Sequence, residues 1–135
     1  MRKLWIIALA AGCGNGVASF EKAADEQLQV QREFAKILEG VKDKATADAA
    51  KPRIEALSIR VDEIEKTVRA LGEPTAEESR RVIEKMRTGI AEINERMKVI
   101  VARLDAGSHE IALSIEEPAA RFMQKCKVVC EMLGG

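Results

Sequence analysis

Histidine occurs once, at His109, and tyrosine not at all; the aromatic rings are Trp5, Phe20, Phe34 and Phe122. A single imidazole rules out sites built on several histidines, including the paired Glu-x-x-His sites of di-iron bundles. Four rings in 135 residues leave no stacking platform for bases or sugars. Charge of one sign is missing too, with 22 basic against 22 acidic side chains. A nucleic-acid partner would ask for a basic stripe, and none is present. No apolar run reaches the roughly 20 residues that a membrane-crossing helix needs. No Ser–His–acid order and no Gly-rich phosphate loop occurs, and this reading argues against an enzyme and assigns no cofactor.

What is abundant is Ala, Glu, Lys, Arg, Leu and Ile, and a third of the chain is charged. That mixture belongs to long helices. Apolar residues at Phe20, Ala24, Phe34, Ile37, Leu38 and Val41 predict a first helix over 17–43, with Gln27 and Gln31 interrupting its stripe. Ile54, Leu57, Val61, Ile64, Val68 and Leu71 step by three and four, which makes a heptad seam. Thr46 is the expected N-cap of this second helix, and Pro52 its blemish. Leu71-Gly72-Glu73-Pro74-Thr75 is strong punctuation. Gly72 suits a positive φ, Pro74 cannot continue the helix, and Thr75 with Glu78 spells a capping box. So short a linker predicts an antiparallel hairpin.

A third helix carries Ile83, Met86, Ile90, Ile93, Met97, Ile100 and Leu104. Gly107 and Ser108 predict a break, although Ile111, Ile115, Phe122, Cys126, Val129 and Leu133 keep the register and would also suit one long kinked helix. The expected fold is all-α: an up-and-down antiparallel helical bundle of three long helices plus a shorter C-terminal helix, over residues 20–133. The alternative is an extended coiled coil that assembles with further copies.

The opening MRKLWIIALAAGC has a different character. Arg2 and Lys3 precede an apolar run, Leu4 to Ala11, and small residues follow. As a helix that run spans about 12 Å, far short of a bilayer. A basic start, a short apolar run and small residues make a secretory signal. Leu9-Ala10-Ala11-Gly12-Cys13 resembles the lipobox of bacterial lipoproteins. The resemblance implies a signal peptide at 1–12, cleavage before Cys13, diacylglycerol on the Cys13 sulfur and, as is usual in that family, an amide-linked acyl chain on its nitrogen. Residues 13–19 would then be the lipidated cysteine and its tether, for which Gly14-Asn15-Gly16 has the right flexibility. It also implies attachment to a lipid bilayer facing the periplasm. Gly14, where an Asp would favour the inner membrane, leans to the outer one. Without residues 1–12 the chain has 20 basic and 22 acidic groups. The competing reading keeps 4–11 as an ordinary apolar segment of a cytosolic adaptor. Residues 40–75, from Lys42-Asp43-Lys44-Ala45-Thr46 through the Pro74 turn, are also similar to a pattern in small helical bacterial proteins. That likeness implies no activity.

Near the C-terminus, Met123, Cys126 and Cys130 fall on one helical face. Soft sulfur ligands suit Cu(I). Buried Cys and Met are equally ordinary core residues, and the register with Phe122, Val129 and Leu133 favours that reading. A disulfide is the third option, since an exported protein meets an oxidising compartment. Its geometry within one helix is poor. His109, beside Glu110, is expected to decorate an exposed turn. Two functions follow as expectations. One is an envelope lipoprotein serving as a structural or interaction module, with a second copy or another envelope protein as partner. The other is a periplasmic soft-metal or redox protein using Met123, Cys126 and Cys130.

Overall fold

A computed structural model describes residues 19–134. Over them the chain forms four helices: α1 (Phe20–Glu39), α2 (Lys44–Leu71), α3 (Ala76–Ala106) and α4 (His109–Met132). They are 20, 28, 31 and 24 residues long, so the shortest is α1 and not the C-terminal helix.

Local chemistry sets each boundary. The Ser19 hydroxyl accepts from Lys22 N–H at 3.0 Å and opens α1. The expected span 17–43 is trimmed at the far end because Gly40 and Val41 turn back onto the carbonyls of Ile37 and Leu38. Thr46 is not the N-cap of α2. Asp43 takes that place, accepting from Thr46 N–H at 2.8 Å, and Thr46 returns its hydroxyl to the Asp43 N–H at 3.0 Å. That backbone bond holds the Asp43 carboxyl below the usual carboxylate range. Pro52 stands exposed in the third turn of α2, where water can satisfy the carbonyl it leaves free. The Thr75–Glu78 capping box forms as expected. Gly72 has φ +78°, a region that excludes most side chains. The chain does break at Gly107–Ser108, with Ser108 capping α4.

Cross-helix ion pairs reveal the layout. Lys85 meets Asp25 at 2.8 Å, Arg32 meets Glu92 at 3.5 Å and Arg96 meets Glu39 at 2.6 Å, so α1 and α3 lie side by side and run parallel. Arg121 reaches Glu55 and Lys125 reaches Asp62, so α2 and α4 are parallel neighbours as well. Glu33 pairs with Arg60 across the antiparallel α1–α2 contact. Going round the bundle, the order is α1, α2, α4, α3. The expected α2–α3 hairpin is therefore corrected: these helices run in opposite directions but lie across the diagonal and do not pack as a pair. Their four-residue linker spans up to about 17 Å. Helix axes 8–10 Å apart put a diagonal at about 14 Å, so a short linker does not compel adjacency.

The core runs along the bundle axis. Its largest fully buried side chains include Phe122, Ile54, Val30, Val61 and Val129. The α2 seam goes in as read, from Ile54 to Val68. Phe34 and Phe122 stack across the middle with ring centroids 4.4 Å apart. The α3 seam divides. Val82, Met86, Gly89, Ile93 and Ile100 face inward, while Ile83, Ile90 and Met97 are only half-buried. Gly89 lets α3 approach α1, because a Cβ there would lie 2.6 Å from Leu28 Cδ1.

Candidate functional site

Below the aromatic stack, two glutamines of α1 face the two cysteines of α4. Helical spacing puts Gln27 and Gln31 on one face of α1, and Cys126 and Cys130 on one face of α4. Gln27 is wholly buried. Its Nε2 donates to Gln31 Oε1 at 3.1 Å, and Cys130 donates its thiol hydrogen to that same oxygen at 3.7 Å. Gln27 Oε1 is buried with no hydrogen-bond partner among the described residues. Both thiols are free, Cys126 buried and Cys130 half-buried.

Electrostatics keep this pair protonated. Burial pushes the Cys126 thiol up to about 12; the Gln27 amide beside it pulls the other way and the Cys130 thiol adds to the rise. Burial also pushes Cys130 up to about 11, helped by nearby Glu131. Metal ligation and disulfide exchange both work through the thiolate. At neutral pH each would first have to remove a proton that the surroundings hold firmly.

The placement of the expected site residues is clear. Cys126 and Cys130 come together on the inner side of α4. Met123 does not join them, since it is 55% exposed. His109 is the first residue of α4 and is exposed, beside the Ser108 cap. Cys13 lies outside the described residues. Among those residues, no three His, Cys, Asp or Glu side chains converge.

One feature escaped the sequence reading. Between α3 and α4 runs an open apolar groove of about 510 Å³, walled by Ile83, Met86, Ile90, Ala91 and Cys130, with Arg87 and Asn94 at its rim. Both helices make their cross-helix ion pairs with other neighbours. Lys85, Arg96 and Arg103 tie α3 to α1, while Arg121 and Lys125 tie α4 to α2. Each helix is committed elsewhere, and the edge they share is left thinly packed. The signal was present in the excess width of the α3 stripe: Ile83, Ile90 and Met97 widen it beyond what one inward face needs.

No protein-family model, no curated protein and no solved structure matches this chain.

Proposed function

We propose that this chain is an envelope lipoprotein, held to a membrane by acylated Cys13 and presenting its helical bundle as a structural or interaction module. The observation that carries the reading is the ordered opening: Arg2 and Lys3, the apolar run Leu4–Ala11, then Ala11-Gly12-Cys13. One acyl chain holds a protein marginally, and two or three hold it stably.

The bundle suits such a role. α1 opens on its own cap at Ser19, six positions after Cys13 and at the end of the proposed 13–19 tether. No helix among the described residues is long and apolar enough to cross a membrane, so in this reading attachment rests on the lipid. Val99, Val101 and Leu113 stand singly exposed in the half of the bundle nearer the Gly107–Ser108 turn, away from the start of α1. The reading assigns no catalytic step.

The test is the mass of the N-terminal peptide from protein made in a bacterium and extracted from membranes in detergent. A peptide that starts at Cys13 and carries acyl mass supports the anchor. An unmodified peptide that starts at Met1 overturns it.

A further inference from the structure

We propose that the groove between α3 and α4 seats one acyl chain of the lipid carried on Cys13, an inference that rests on the lipid-anchor reading above. The walls are the first argument. Ile83, Met86 and Ile90 on α3 face Cys130 on α4, and no charged side chain other than rim Arg87 lines the space. A flexible unbranched chain is the apolar ligand that fills such a slot without needing a hydrogen bond. From Ile83 to Asn94 the groove follows α3 for about 17 Å. Gly134 lies against the wall near its lower end: a Cβ there would lie 2.7 Å from Ile83 Cγ1.

Position is the second argument. Arg81 and Lys85, which flank Ile83 in sequence, both pair with Glu21 in the first turn of α1. The lower end of the groove and the start of the bundle therefore share one end of the molecule. From Cys13 to Ser19 the backbone reaches at most about 21 Å. That places the lipid within reach of the groove and makes its entry an intramolecular event at high effective concentration.

Stoichiometry is the third argument. Stable anchoring takes two chains. A diacylglycerol supplies both, so anchoring does not require the amide-linked chain, the one that this proposal seats in the groove.

A fatty acid bearing a diazirine, fed to the expressing bacterium, tests this. Envelopes are irradiated and the peptides of the full protein mapped by mass. The expected result is probe on the N-terminal Cys13 peptide, with crosslinks to the peptides holding Ile83–Asn94 and Cys130. Ile90→Asp should retain the probe on Cys13 and lose those crosslinks. Ala91→Trp, which fills the groove from an exposed position of its wall, serves as the second variant if Ile90→Asp loses helicity. Probe on Cys13 with crosslinks to lipid alone, or spread equally over the outer face of α2, overturns the groove and spares the anchor. An N-terminal peptide without probe overturns the anchor itself, and the groove inference with it.

Discussion

Gly89 of α3 faces Leu28 of α1 with no room for a side chain between them: a Cβ would stand 2.6 Å from Leu28 Cδ1 and 3.1 Å from its Cγ. Leu28 is itself buried, and its tip would have to turn toward the open surface pocket that Leu28 and Gly89 both line. The parallel α1–α3 contact depends on this missing methyl group. Gly89→Leu should lower stability by about 1–3 kcal/mol, the usual cost of overpacking, read as a lower urea midpoint. Gly89→Ala should cost less, because better helix propensity returns up to about 1 kcal/mol. A Gly89→Leu protein as stable as the parent would mean that α3 does not lie where described.

Arg103 closes the C-terminus of α1 from outside it. Its Nη1 donates to the Val41 carbonyl at 2.8 Å and its Nη2 to the Leu38 carbonyl at 2.9 Å. The Leu38 carbonyl also accepts from Val41 N–H, and Val41 lies just past the end of α1, so the guanidinium pins the closing turn of α1 to α3. Arg103→Met keeps the aliphatic stem and removes the donors. It should cost about 1.5 kcal/mol, the low end for hydrogen bonds to a charged group. Hydrogen exchange should quicken at residues 38–42 before it changes in α2.

Gln27 is the polar flaw in the core. Its Oε1 is buried without a partner, a situation that costs about 1–3 kcal/mol. Gln27→Met has similar length and no orphaned oxygen. The expected outcome is a gain of about 1 kcal/mol in thermal or urea unfolding. A clear loss would show that the amide is satisfied in solution and that its contact with Cys126 is stabilising.

The thiols give the fold an alkaline limit. Both Cys126 and Cys130 sit above their ordinary value, at about 12 and about 11. The unfolded chain releases these protons first as pH rises. Between the ordinary thiol range and pH 11–12 the native state holds more protons than the unfolded one, so stability falls with rising pH. Below the unfolded-state value the contribution is complete. Cys126→Ala with Cys130→Ala should flatten the decline above pH 9. Iodoacetamide at pH 8 should modify Cys130 slowly and Cys126 more slowly still.

How far the fold was legible in the sequence depends on the kind of information. The α2 seam from Ile54 to Val68, the Thr75–Glu78 capping box and the Gly107–Ser108 break were all readable, because each rests on spacing or on the chemistry of a few adjacent residues. The order of helices round the bundle was not. Heptad steps show which face is apolar but not which helix will cover it. The pairing of α1 with α3 is written in charges about 60 positions apart, such as Asp25 with Lys85, and in one glycine inside a helix. Thr46 was misplaced by three residues because Asp43 and Thr46 share one capping box, and either could have been its first member. Of the candidate site, the core register of Cys126 was readable. Its contact with Gln27 was not, since buried glutamines look from sequence like gaps in a stripe.

The central claim is that Cys13 is the lipid-bearing first residue of the mature chain, and the N-terminal peptide mass tests it most directly. Protein from a bacterial host, extracted in detergent, should yield a peptide beginning at Cys13 with diacylglycerol and acyl mass added, and none beginning at Met1. An intact, unmodified peptide from Met1 would remove the anchor, and Leu4–Ala11 would then need another account within the protein.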